Sequence, residues 1–177
     1  MKTVTIYCVN TQSYHQVPKG ITLEEVYHEL GLELPYCVTS CKVNNRVEGL
    51  HYTINDARDL EFLNITSPSG LRTYTRSLFF VLYKAVYDCY PGARIRIGTP
   101  VSNGYFCQLD LNQPITDEVV DTLRRKMDSI IQADLRFRRH TAHTTDAINL
   151  FRTQGLHQKV KLLESIGDLY THYYSLD

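Results

Sequence analysis

The stretch T-R-S-L-F-F-V-L-Y-K-A-V at 75–86 has the periodicity of a helix. At 100° per residue, Arg76, Phe80, Tyr83 and Tyr87 fall on one stripe, an aromatic row led by a cation. Leu78, Phe79, Leu82, Ala85, Val86, Cys89 and Tyr90 form the core stripe. Rings in such a row stack on a base or another planar group, and a guanidinium pairs with phosphate or carboxylate. Proton transfer is not available to it: arginine stays charged and phenylalanine has no proton to move. Three covers for the stripe are open. It packs against the domain's own sheet or further chain, it lines a ligand pocket, or it docks a partner or a second copy. The stripe is thus expected to bind or pack and not to react, and no catalytic residue is assigned.

Other candidates are weaker. Arg94 and Arg96 share one face of a strand, as do Arg136 and Arg138 of theirs. If those strands were neighbours, four guanidiniums would share a surface suited to RNA backbone or nucleotide phosphate. A solvated sheet face paired with acidic residues around Asp117–Asp121 is the competing reading, and zero net charge favours it. H-T-A-H at 140–143 has no third ligand at metal spacing and reads as a turn before a helix cap at Thr144 or Thr145. Cys37 and Cys41 have no second pair to complete a zinc site, and all five cysteines are expected to be reduced core thiols. Glu24-Glu25 suit a helix amino terminus, and Ser77 lacks a neighbouring base. No metal is expected.

The elements that would carry these residues sit in a chain of 177, long enough for one ample domain or two small ones. Nineteen basic residues balance nineteen acidic ones, so no global field draws the chain to nucleic acid or membrane. No apolar run is long enough to span a bilayer, and the start lacks a signal-peptide pattern, which leaves the cytoplasm as the expected location.

Residues 3–9 alternate as a strand, and a second strand ends near Val17. I-T-L-E-E-V-Y-H-E-L-G reads as a complete helix, with Thr22 as cap, Glu25 at the capping-box position, an Ile21–Val26 staple and Gly31 as stop. Strand 37–43 turns at Asn44-Asn45 into Arg46–Leu50, and D-L-E-F-L-N-I closes a β-grasp unit near Ile65. S-P-S-G at 67–70 reads as a linker. Beyond it come a helix from Leu71 or Arg76 to Tyr90, a strand at 93–97, and a hairpin with Asn103-Gly104 at its tip. A helix capped by Thr116 follows, stapled by Ile115 and Val120, with Leu123, Met127, Ile130 and Ile131 at core spacing. L-R-F-R-R-H reads as a strand, 144–155 as a helix and V-K-L-L-E as a strand. The fold class is α+β, with domains at 1–66 and 70–177.

Residues 1–65 resemble a TGS domain, the small β-grasp module at the start of threonyl-tRNA synthetases. V-L-Y-K-A-V-Y-D-C-Y-P-G-A-R-I-R-I-G, P-V-S-N-G-Y-F-C-Q-L-D-L-N-Q-P-I-T, A-I-N-L-F and V-K-L-L-E-S-I resemble that family's second additional domain, its editing domain. The resemblance implies a histidine pair, H-x-x-x-H, opening the first long helix to orient the water that removes a wrongly attached amino acid from tRNA. Arg76 and Phe80 stand there instead. A second implied pair, Cys and His four apart, would fall beyond Asp177. Editing chemistry is expected to be absent.

The same two modules precede the P-loop domain of some bacterial nucleoside kinases of the uridine kinase and phosphoribulokinase type. R-S-L, V-K-L-L-E and L-Y-T-H-Y-Y-S-L-D resemble that group more closely. No G-x-x-x-x-G-K-[ST] occurs in 1–177. The expectation is therefore a non-catalytic regulatory front of a uridine or nucleoside kinase, with no cofactor of its own. ATP and Mg would belong to a missing carboxyl-terminal kinase domain. Nucleotide, nucleoside or RNA are the expected partners, and a homo-oligomer is compatible with the stripe. The alternative is a degenerate or stand-alone tRNA-binding module of the threonyl-tRNA synthetase type.

Overall fold

A computed structural model describes residues 2–102 and 104–177; Asn103, expected at a hairpin tip, lies outside the described residues. The chain divides into two compact units, Met1–Leu78 and Phe79–Asp177.

In the first unit, β1 (Thr3–Cys8) and β2 (Ser13–Pro18) pair antiparallel with Ile6 opposite His15. Alternation buries Ile6 and Cys8 completely on the inner face. β3 (Ile21–Thr22) leads into α1 (Leu23–Glu29). The expected capping box is present: Thr22 Oγ1 accepts from the Glu25 N–H at 3.2 Å, and the Glu25 carboxylate accepts from the Thr22 N–H at 2.8 Å. Those bonds from the Thr22 backbone and hydroxyl hold the Glu25 carboxyl below its usual range. Ile21 and Val26 both enter the core, and Gly31 at φ 57° follows the cap, as its freedom from a Cβ allows.

β4 (Ser40–Val43), β5 (Arg46–Glu48), β6 (Thr53–Ile54) and β7 (Arg58–Leu63) complete the unit. Asn44 and Asn45 take positive φ angles of 47° and 67°, the turn that a two-residue hairpin needs. Strand order is β2-β1-β7-β4-β5, with β1 and β7 parallel at the centre and the other neighbours antiparallel. This is the β-grasp arrangement, its core built from Ile6, Leu23, Val26, Cys41, Ile54 and Leu60. Cys37 lies before the strand and is exposed, so only Cys41 of that pair is a core thiol.

The expected linker at 67–70 is instead the capped start of α2 (Pro68–Cys89). Ser67 Oγ accepts from the Gly70 N–H at 3.0 Å and donates to the Asn64 carbonyl, while Thr39 Oγ1 donates to the Leu63 and Gly70 carbonyls. Ser-Pro is a helix-start signal as readily as a turn signal: the serine caps and proline fits the first helical position.

In the second unit, α2 runs on to Cys89, followed by the hairpin β8 (Arg94–Val101) and β9 (Gly104–Asp110). α3 (Asp117–Gln132) comes next, then β10 (Phe137–His143), α4 (Thr144–Thr153), α5 (His157–Ile166) and β11 (Tyr170–Leu176). β11 pairs antiparallel with β10, bringing Phe137 opposite Leu176 and His143 opposite Tyr170. The core gathers Val81, Ala85, Val86, Val119, Leu123, Ile130 and Leu176. Four local expectations change. V-K-L-L-E is helical, because a run this short fits either period and Val160 needs one buried side only. His143, not Thr144 or Thr145, caps α4. Ile115, Val120 and Ile131 face outward. Thr116 occupies the cap position of α3 without a side-chain bond. Among the described residues no helix is long and apolar enough to cross a membrane.

Candidate functional site

α2 separates the four residues of the aromatic stripe. Phe80 is half-buried, packs on the second unit's core and meets the Phe137 ring edge-on, with centroids 5.6 Å apart and planes at 66°. That ring is covered by the domain's own strand β10. Tyr83 and Tyr87 stay 37% and 40% exposed, and partial burial pushes the Tyr87 phenol up. Arg76, in the first unit, is exposed, and its guanidinium has no hydrogen bond or ion pair among the described residues. Phe79, expected in the core stripe, is half-buried and stands edge-on to Tyr105 at 4.8 Å. Ser77 Oγ donates to the Thr73 carbonyl one turn back, a bond that spends its proton on the helix.

At the far end of this helix Asp88 joins Lys126 of α3 at 3.0 Å and Lys84 at 3.6 Å. Burial pushes its carboxyl up, and the two ammonium groups outweigh that and hold it below its usual range. Two shallow concavities of about 300 and 260 Å³ adjoin Tyr90 and Gln113. Thr116, Glu118, Val119 and Thr122 line one, and Cys89, Gly92, Ala93 and Asp110 line the other. The stripe residues line neither.

The four guanidiniums do not share a sheet. β8 is bonded to β9 and β10 to β11, and the two ribbons are not paired to each other. Arg94 stands opposite Asp110 and Arg96 opposite Gln108. Arg138 Nε lies 3.3 Å from the Asp177 carboxylate, while Arg136 precedes β10 and bonds Asp177 through its backbone. Distributing the four across separate ribbons follows from pairing partners far apart in sequence, which spacing along one strand does not reveal.

H-T-A-H is the end of β10, not a turn. Residues three apart on a strand face opposite ways, so His140 and His143 point to different sides. His140 Nε2 is 2.8 Å from Ser175 Oγ, which donates to the Asp177 carboxylate, and its ring stacks on Tyr173 at 5.0 Å. The His143 ring meets Tyr170 on the other face at 4.5 Å. Among the described residues no three His, Cys, Asp or Glu side chains are grouped to hold a metal ion.

Sequence reasoning passed over β11. Y-T-H-Y-Y-S-L places Tyr170, His172, Tyr174 and Leu176 on one face by strict alternation, a period-2 signal present in the sequence. Thr141 Oγ1 sits 2.9 Å from His172 Nδ1 across the ribbon, and Arg139 stands opposite Tyr174.

No family model matches the chain. It is similar to curated threonine–tRNA ligases over most of its length. The ligase of Rubrobacter xylanophilus is 29% identical over 153 residues, covering 86% of this chain and 24% of the ligase. That of Citrifermentans bemidjiense is 26% identical over 155 residues, 88% of this chain and 24% of the relative. For Symbiobacterium thermophilum the figures are 25% over 168 residues, 95% and 26%. The chain thus spans about a quarter of the length of the curated relatives it matches. Both units fall within a threonine–tRNA-ligase-like region, and none of these relatives is a nucleoside kinase.

Proposed function

We propose that this chain is an RNA-contacting region of the threonyl-tRNA synthetase type, a β-grasp unit and an editing-like unit, without the editing chemistry. The observation that carries the reading is similarity to threonine–tRNA ligases running through both units in one order. The loss of chemistry rests on α2. Where the resemblance implies paired imidazoles, the helix holds an exposed guanidinium and a phenyl ring packed edge-on against Phe137. Neither group accepts a proton from water near neutral pH, so neither activates it for attack on an ester. The finer assignment to the front of a uridine kinase has no relative named here behind it, and a phosphate loop on a longer chain would be needed to revive it.

The test is hydrolysis of mischarged threonine-specific tRNA together with tRNA binding. The 177-residue chain is expected to bind tRNA, measured by filter retention, and to leave the aminoacyl ester at its rate in buffer. Ester loss accelerated by the chain, and abolished in Arg76→Ala or Phe80→Ala, would overturn the inertness. Failure to bind any tRNA would overturn the assignment itself.

A further inference from the structure

The β10–β11 ribbon has two unlike faces. One carries Arg138, His140 and Ala142 with Thr171, Tyr173 and Ser175, and is packed: Phe151 of α4 meets Tyr173 edge-on at 5.4 Å, and Thr144 bonds Thr171. The other begins with a rung that packs inward, Leu176 in the core and Phe137 against Phe80, and then carries three open rungs in succession, Arg139 with Tyr174, Thr141 with His172, and His143 with Tyr170. Tyr170 is 53% and Tyr174 46% exposed, and Arg139, Thr141, His143 and His172 are exposed as well.

From this arrangement we infer that the outward face of β10–β11 is a stacking platform for a short single-stranded RNA segment. The inference rests on the reading of the chain as an RNA-contacting region and says where that contact lies. Alternate residues along a strand stand about 6.8 Å apart, so Tyr170, His172 and Tyr174 form a row of flat groups at regular spacing. Planar side chains on an exposed sheet are what unpaired bases stack on, whichever base is presented. The His143–Tyr170 contact and the Thr141–His172 hydrogen bond hold two of the rungs in place.

Charge selects RNA over an apolar partner. No carboxylate stands among the rung residues, and the Arg139 guanidinium has no acidic partner among the described residues. Arg138, by contrast, points to the packed face and is already paired with Asp177. A free cation beside tyrosines suits a backbone phosphate whose base lies on the neighbouring ring. Duplex RNA would not fit this purpose, because its bases are stacked on one another and closed to the rings.

The experiment is fluorescence anisotropy of a labelled unstructured RNA oligonucleotide, a hairpin duplex of the same composition, and tRNA, each titrated with the 177-residue chain. Single strand is expected to bind more tightly than duplex. Tyr170→Ala and Tyr174→Ala should each weaken it roughly tenfold, the order of one lost base–ring stack. Arg139→Ala should weaken it and flatten its salt dependence. Tyr14→Ala, an exposed tyrosine of the first unit, should leave binding unchanged. All three rung side chains are exposed, so circular dichroism should report intact folds. Binding of tRNA that ignores all three substitutions would overturn the platform while sparing the proposed function. Loss of binding to every RNA would overturn both. A concentration-dependent dimer abolished by Tyr170→Ala, with single-strand affinity unchanged, would mark the face as a contact between copies and overturn the platform.

Discussion

The five thiols differ in chemistry because the fold differs around each. Cys41 is wholly buried, and burial pushes its thiol up to about 12, whereas Cys37 and Cys107 lie in the open. A thiol reagent at pH 8 should therefore modify Cys37 and Cys107 quickly and reach Cys8 and Cys41 only on unfolding, which mass spectrometry of quenched samples reads directly. The same shift has a stability consequence. Unfolded Cys41 loses its proton near pH 9 while the folded thiol keeps it, so its contribution is present below about 9 and declines as pH rises toward about 12. Urea midpoints across that range should fall for the native chain and fall less for Cys41→Ala. Beside it, Thr39 and Ser40 make a contrasting pair. Thr39→Ala removes bonds to two carbonyls and should cost about 1 kcal/mol, while Ser40→Ala deletes a buried hydroxyl with no partner among the described residues and should stay within about 1 kcal/mol of neutral. Residue type alone sorted none of this, since the sequence gives no burial at a single position.

Elements were most readable where local chemistry is sufficient. The α1 capping box and the Asn44-Asn45 turn each use neighbours a few residues apart, and both appear as expected. The start of α2 reads as a linker because Ser-Pro signals a turn as readily as a helix start, and the Thr39 bond to Gly70 that helps fix it comes from 31 residues away. A Cβ at Gly70 would collide with the Asn64 carbonyl, so Gly70→Ala should cost on the order of 1–3 kcal/mol, as overpacking does. Ser67→Ala should lose about 1 kcal/mol with the cap. Thermal melts of the two variants check both values. Between α2 and α3, the Asp88 carboxyl sits below its usual range, so its contribution is present above about pH 4 and is lost as pH falls through the lowered value. Asp88 is a third exposed, and solvent screening keeps Asp88→Asn below about 1 kcal/mol at pH 7, with the difference from the native chain shrinking as pH falls through that lowered value.

At the scale of the molecule, two cores share no residue: one is built around Leu60 and Ile6, the other around Val86 and Ala85. Leu60→Ala should remove about 2–5 kcal/mol of amide-exchange protection from the β-grasp strands and leave β10 and β11 protected, as exchange mass spectrometry would resolve. Arrangement into a β-grasp followed by a second α+β unit was legible from period, caps and turns, whereas the editing-like character of the second unit rested on resemblance alone. So was the absence of a proton acceptor at Arg76 and Phe80, which follows from side-chain chemistry whatever the fold. Sequence by itself thus determined the elements held by near neighbours and the reactions these residues cannot perform. Tertiary structure alone decided which strands pair, and with them that Phe80 is covered by Phe137, that the two arginine pairs belong to ribbons not bonded to each other, and that Tyr170, His172 and Tyr174 share an outward face with Arg139. The physical reason is register: a strand's own sequence fixes which residues share a side, but only its distant partner fixes which side is buried.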